Sequence, residues 1–150
     1  MKKFRFSLET VLDYKQQVLT TLQTEHGAIL ADIRSQEQLI EELEAAYRHL
    51  DHEFTRRKLA GIAILDAMKY EQYLRSSERQ LQEAYEHLAQ LHRREEAKRE
   101  QVVEAKKETS SIDKLKEKKF KEYEKEVQKE EEQFIEEFVA TKRAMARIVG

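Results

Sequence analysis

The chain has 150 residues, of which 39% are hydrophobic and another 39% are charged, too few apolar groups to fill a round core. Proline and cysteine are absent, which excludes disulfide and thiolate sites, and Glu, Lys, Leu, Gln, Ala and Arg dominate, as is typical of long helices. The 28 basic and 30 acidic residues are interleaved, an arrangement that argues against binding nucleic acid.

The N-terminal stretch MKKFRF is basic but lacks the apolar run that follows in a secretory signal. No apolar run elsewhere is long enough to span a bilayer. We therefore expect a cytoplasmic protein without direct membrane insertion.

The first helix is predicted over about residues 7–59, with Ser7 as its N-cap. A row of positions that recurs at alternating steps of four and three residues then runs along this helix, and we call it the seam. Eleven of its fourteen positions are apolar, and the polar ones are Lys15, His26 and Gln36. An average step of about 3.5 residues held this long is typical of a left-handed coiled coil. The seam consists of Leu8, Leu12, Lys15, Leu19, Leu22, His26, Ile29, Ile33, Gln36, Ile40, Leu43, Tyr47, Leu50 and Phe54.

Gly61 is the strongest stop signal, since glycine enters the left-handed conformation at a helix end without steric cost. This stop predicts a hairpin tip over about residues 60–65. A second helix, with Asp66 as its N-cap, is then predicted over about residues 66–148. The second seam reads Leu74, Leu81, Ala84, Leu88, Leu91, Glu95, Lys98, Val102, Ala105 and Ile112.

A short connection makes the two helices antiparallel, so paired residues have numbers that sum to about 123. Lys15 is then expected opposite Glu108, and Gln36 opposite His87. The predicted fold class is all-α, a single coiled-coil domain over 1–150 that forms a long antiparallel two-helix coiled coil, or α-hairpin, with a C-terminal helical overhang.

Residues beyond about 115 have no partner on the first helix by this count, yet they keep an apolar stripe at helical spacing. Exposed aromatic side chains at regular spacing favour a binding face for another protein. The capping-box spacing of Ser110 and Asp113, within Thr109–Asp113, predicts a possible kink near residues 109–111. The stripe consists of Phe120, Tyr123, Val127, Phe134, Phe138, Met145 and Ile148.

The sequence contains no phosphate-binding glycine loop, and His49 and His52 lack the context of a metal site. We therefore expect neither an enzyme nor a cofactor. Tyr70, Tyr73 and Leu74 cluster where the hairpin closes, and either packing of the tip or a docking face explains them.

Two stretches of the sequence are FRFSLETVLDYK, at the N-terminus, and GIAILDAMKYEQYL, at the predicted hairpin. The first resembles the opening of the FliJ family of the flagellar type III export apparatus, and the second resembles that family's hairpin segment, through Gly61, Ile62, Ala63, Tyr70, Tyr73 and Leu74. The stretch IDKLKEKKFKEYEKEVQKEEEQFIEEFV resembles the family's lysine-rich repeat, which ends in an acidic pair, here Glu136 and Glu137.

The resemblance implies a stalk, an elongated monomer when isolated, that inserts in the hexameric export ATPase ring and promotes its assembly and activity. It also implies contacts with the export-gate membrane protein and with escort chaperones, at the cytoplasmic face of the inner membrane, in support of flagellum biogenesis, motility and chemotaxis. The implied gate-binding residues are Tyr70, Tyr73, Leu74 and Ser77. We place the overhang in the ring as a hypothesis, which makes the stripe residues Phe120, Tyr123, Val127, Phe134, Phe138 and Met145 the expected ring-binding residues.

Three alternatives stay open at this point. One is the equivalent stalk of a virulence type III system. Another is a generic scaffold in which the overhang pairs with its own copy, and the third is an arm that grips RNA, which predicts steeply salt-dependent binding.

Overall fold

A computed structural model describes residues 2–149. It contains two α-helices, α1 over Glu9–Ala60 and α2 over Ile64–Val149, which pack against each other. Over these residues the chain forms no strand. The prediction of an all-α helical hairpin is confirmed.

Both helix starts differ by about two residues from the sequence prediction. The carbonyl of Leu8 accepts the first helical hydrogen bond, from the Leu12 amide at 2.8 Å, so Leu8 and not Ser7 occupies the N-cap. The carbonyl of Ala63 likewise accepts a bond from the Ala67 amide at 2.9 Å, so Asp66 lies inside the first turn of α2. A carboxylate there stabilises the positive end of the helix dipole without being the cap, and residue type alone does not separate these roles.

Gly61 ends α1 as predicted. It directly follows the last helical residue, Ala60, and has a φ of 98°. This conformation is strained for a residue with a Cβ atom, so glycine is what lets the chain leave α1 within three residues and begin α2 at Ile64.

Substitution of alanine for each of two glycines has opposite expected effects on stability. A Cβ atom at Gly61 or at Gly27 would meet no atom within 4 Å, so only the backbone conformation distinguishes the two sites. Gly61→Ala forces a non-glycine residue into positive φ and lowers the free energy of unfolding by about 1–3 kcal/mol. Gly27→Ala, on the exposed surface of α1, raises it by about 0.5–1 kcal/mol. Urea unfolding followed by circular dichroism measures both, and effects of the same sign would contradict the role given to Gly61.

Helix α2 runs without a break through residues 109–111. The Thr109 hydroxyl donates to the Ala105 carbonyl at 2.8 Å, and the Ser111 hydroxyl donates to the Lys107 carbonyl at 2.9 Å. Ser110 therefore lies in the interior of a helix, and the predicted capping box with Asp113 is not formed. Hydroxyl groups in mid-helix bond back to the preceding turn, which satisfies them without ending the helix.

The chain divides into two compact units. The loop unit is Thr20–Val103, and the terminal unit comprises the chain up to Leu19 and from Glu104 onward.

The loop unit has its densest core where Leu88 packs against the buried residues Ile29, Ile33 and Leu91. Every predicted seam position between residues 22 and 98 is buried or half-buried, which follows from the alternating steps of three and four. The Nζ atom of Lys98 lies 2.7 Å from a carboxylate oxygen of Glu25, and these residue numbers sum to 123, as the antiparallel count requires.

Gln36 does not pair with His87, contrary to the prediction. Its side-chain amide donates to the Ala84 carbonyl at 3.0 Å, and His87 is exposed. The small Ala84 side chain leaves the α2 backbone accessible to the long side chain of Gln36. Gln36 therefore donates to a backbone carbonyl and not to the side chain of His87.

The terminal unit has Phe6, Leu12, Ala105 and Thr109 as its buried residues. Lys15 Nζ lies 2.8 Å from a carboxylate oxygen of Glu108, so this predicted pair is confirmed. The hydrogen bond to Glu108, assisted by its negative charge, raises the pKa of Lys15. A second pair, Lys116 with Glu9 at 2.9 Å, joins the first residue of α1 to α2.

Candidate functional site

The N-terminal residues 2–6, which we call the strap, are not helical and lie against α2 within the terminal unit. The Phe4 ring centroid is 5.2 Å from that of Phe120, edge to face, and 5.5 Å from that of Tyr123. The Tyr123 hydroxyl donates to the Lys2 carbonyl at 2.7 Å. The strap and α2 together line a cleft whose α2 side is formed by Tyr123, Glu126, Val127 and Glu130.

These contacts correct the prediction that every residue beyond about 115 lacks an intramolecular partner. Phe120, Tyr123 and Val127 do have one, since Tyr123 and Val127 are half-buried beside the strap and Phe120 contacts Phe4. The antiparallel count considered only pairs of residues that both lie in helices. Phe4 lies in a non-helical segment, and its aromatic ring still buries the surface of residues on α2. The alternation of aromatic and basic residues in FRF was the signal that could have shown this.

Six apolar residues further along α2, which we call the terminal stripe, have no such cover. Phe134 is 69% exposed, Phe138 59% and Met145 64%. Every side chain from residue 128 to 149 is exposed, so the bare part of the overhang begins about thirteen residues later than predicted. The terminal stripe consists of Phe134, Ile135, Phe138, Val139, Met145 and Ile148.

Charge is divided along the terminal stripe. Its first half is flanked by five carboxylates, whereas its second half carries only basic charge. A helix of this kind presents an apolar strip with an acidic section and a basic section, and both sections are accessible to a partner. The acidic residues are Glu130, Glu131, Glu132, Glu136 and Glu137, and the basic ones are Lys142, Arg143 and Arg147.

Near the loop, Tyr70 packs within the hairpin. Its ring stacks on Phe54, with centroids 5.1 Å apart and an interplanar angle of 12°. Its hydroxyl donates to Glu53 at 3.1 Å and accepts from Arg57 at 2.9 Å. The hydrogen bond to Tyr70 is the main cause that raises the pKa of Arg57. Of the two explanations for this tyrosine, packing of the tip is the one its contacts support.

The other three predicted gate residues have different surroundings. Tyr73 is 60% exposed, whereas Leu74 and Ser77 are half-buried. Near the loop lie four further exposed apolar residues that the sequence prediction missed, two of which belong to the short apolar stretch at 62–65. These four are Leu59, Ile64, Leu65 and Met68.

The family model of the flagellar FliJ protein matches residues 4–147. The chain belongs to the FliJ family. The match begins at Phe4, the first residue of the FRFSLETVLDYK stretch, and includes the hairpin segment and the terminal stripe as far as Met145. Comparison with curated proteins and with solved structures gives no match.

The FliJ family is a non-enzymatic accessory family of protein export, and membership of it supports a role related to flagellar export. Within residues 2–149, no helix of this FliJ-family chain is long and apolar enough to cross a membrane. The same residues contain no cluster of three or more histidine or acidic side chains that could hold a metal ion.

A polar pair in the seam gives the FliJ-family chain one pH-sensitive contact. His26 Nε2 lies 2.9 Å from a carboxylate oxygen of Glu95, and the two side chains are only 21% and 14% exposed. The hydrogen bond to His26 lowers the pKa of Glu95, with help from the charges of Arg99 and His92, while burial opposes the shift.

Glu95→Gln is expected to reduce stability at neutral pH and to lose its effect in acid. The pKa of Glu95 is lower in the folded protein than its usual value of 4.5. Its contribution to the free energy of unfolding is therefore fully present when the pH is above the usual pKa, and it is lost as the pH falls through the folded-state pKa. Urea unfolding of both proteins at about pH 7 and about pH 3 measures the difference. Glu96→Gln, at the exposed neighbouring position, is the matched control. A penalty for Glu95→Gln that is equal at the two pH values would contradict this assignment.

Proposed function

We propose that this protein is the coiled-coil stalk of the flagellar export ATPase. It inserts into the hexameric ATPase ring, promotes assembly and activity of the ring, and links the ring to the export gate and to escort chaperones at the cytoplasmic face of the inner membrane. The observation that carries the proposal is the terminal stripe, a row of exposed apolar side chains at the end of α2 in a chain of the FliJ family.

The terminal stripe has the properties of a surface that is covered in a complex. Burial of a large apolar side chain stabilises an assembly by about 1.5–3 kcal/mol, and two phenylalanine residues here are more than half exposed. A highly charged helix without tertiary contacts frays in water, so a partner that covers the stripe would also stabilise the helix. The division into acidic and basic sections gives such a partner a direction of binding.

Coupling to ATP hydrolysis follows from a mismatch in symmetry. A single hairpin has no sixfold symmetry, so its two helices necessarily contact different ring subunits in different ways. If the stalk binds one nucleotide state of a subunit more tightly than another, it shifts the populations of the ring by that difference in affinity. The promotion of ring activity that we propose is of this kind.

For the export gate, we propose a contact surface near the loop. Tyr73 is the predicted gate residue that is most available, and Leu74 and Ser77 lie next to it on α2. Tyr70 acts by fixing the start of α2 through its stacking on Phe54. Four further exposed apolar residues at the loop, Leu59, Ile64, Leu65 and Met68, are available to the same partner. Binding to escort chaperones is proposed on the ground of family membership alone.

The proposal is tested with purified chain and purified export ATPase. The isolated chain is expected to sediment as a monomer, to join the ring as one chain per hexamer and to increase the rate of hydrolysis. A chain that ends at Gln133 keeps the strap and its contact residues on α2 but lacks the terminal stripe. It should leave hydrolysis at the rate of the ATPase alone, and full stimulation by this shortened chain would refute the proposal.

A further inference from the structure

The terminal stripe continues towards the N-terminus of α2, beneath the strap. Phe120, Tyr123 and Val127 follow the same three- and four-residue spacing as Phe134 and Phe138, interrupted at Glu131. Residues at this spacing lie on one face of a helix. A partner bound along the terminal stripe therefore meets the strap at its next step along α2.

The strap is held to α2 by few interactions. The hydrogen bond from Tyr123 to the Lys2 carbonyl and the ring contacts of Phe4 are the specific ones. Between residues 2 and 149, the strap's single backbone hydrogen bond outside the helices joins Phe6 to Glu9, within the turn that precedes α1. Phe120 remains 42% exposed despite its contact with Phe4. Segments with so few contacts open at low cost in free energy.

Phe6 differs from the rest of the strap because it is buried, in the same unit as the buried Leu12. Because Phe6 is buried, the chain is held in place from this residue onward. Residues 2–5 lie before this point and bring Lys2, Lys3 and Arg5 to the cleft that also contains Glu126 and Glu130. Attraction between these opposite charges is exposed to solvent and is screened by salt, so it holds residues 2–5 weakly.

We infer that residues 2–5 of the strap are a displaceable cover, which competes with the ATPase ring for the α2 face formed by Phe120, Tyr123 and Val127. This inference rests on the proposed function and adds regulation to it. The complete ring-binding face then runs from Phe120 to Met145, and its first part becomes fully accessible when residues 2–5 leave. The ring's apparent dissociation constant equals its intrinsic value divided by the fraction of molecules in which the strap has left.

The strap is tested first by weakening it in the full chain. Phe4→Ala removes both ring contacts and should tighten binding to the purified export ATPase by about three- to tenfold, since the uncovered fraction rises. Deletion of residues 2–5 should have at least the same effect. Tyr14→Ala, which removes an exposed aromatic side chain from the same unit, is the matched control and should leave the affinity unchanged. Thermal melting confirms that each variant stays helical.

Closing the strap covalently should have the opposite effect. The chain contains no cysteine, so Lys2→Cys with Glu126→Cys places a single reactive pair on the two sides of the cleft. After reaction with a short bis-maleimide, binding should weaken by about tenfold or more relative to the same protein before reaction.

Equal affinity for the Phe4→Ala variant and the parent, or weaker binding after deletion of residues 2–5, would overturn the inference while leaving the proposed function in place. The same holds if the cross-linked protein binds as tightly as the protein before reaction. Absence of binding by the parent and by every variant would instead refute the proposed function, and the inference with it.

Discussion

Replacing Phe134 and Phe138 together by alanine is expected to weaken binding to the export ATPase by about 100-fold or more. Both side chains are more than half exposed in the free protein, so each loses most of its accessible surface only when a partner covers it. Buried aromatic residues at the centre of an interface commonly cost about 2 kcal/mol or more when truncated, which is about 30-fold in affinity for each. Isothermal titration of the purified proteins measures the change.

The same double variant should unfold like the parent protein, because neither phenylalanine contributes to the packing of the free chain. A matched control is the double variant Tyr14→Ala and Leu39→Ala, which removes two exposed apolar side chains of α1 instead. It should bind the ATPase with parental affinity. If the Phe134 and Phe138 variant melts at a much lower temperature, these residues stabilise the chain itself and the docking role is wrong.

Leu91→Ala is expected to lower the free energy of unfolding by about 2–5 kcal/mol. Leu91 is 3% exposed and packs with Ile29 and Ile33, so the substitution leaves a cavity in the densest part of the loop unit. Domains are stable by only about 5–15 kcal/mol, and one truncation therefore removes a large fraction of the total. Urea unfolding followed by circular dichroism measures the loss.

Leu39→Ala removes the same number of atoms from a side chain that is 44% exposed in the same unit. It is expected to cost much less, on the order of 0.5 kcal/mol, as is usual for surface substitutions. Similar losses for Leu91→Ala and Leu39→Ala would show that the seam is not the core of the hairpin.

Most of the pairing between the helices could be predicted from the sequence. The alternating steps of three and four placed Leu12, Ile33 and Leu91 in the seam, and all three are buried. One glycine fixed the turn, since its positive φ is strained for a residue with a Cβ atom, and the antiparallel count then placed Lys15 opposite Glu108 correctly. Periodicity and chain length determine these features almost alone.

The strap and the partner of Gln36 could not be predicted in this way. Counting assigns partners between regular elements, whereas Phe4 belongs to a non-helical segment and Gln36 reaches a backbone carbonyl that has no identity in the sequence. The exposed residues at the loop, such as Leu65 and Met68, were missed because spacing along one helix does not show where the opposite helix ends. An apolar residue at the end of a hairpin stays exposed when the opposite helix does not reach it.

The most direct measurement is photo-cross-linking from the terminal stripe in motile cells. A photo-reactive phenylalanine analogue at position 134 is predicted to form an adduct with a subunit of the export ATPase, while the same analogue at position 14, also exposed, gives none. An adduct that joins two copies of this chain at position 134, with none to the ATPase, would contradict the account and favour the scaffold alternative.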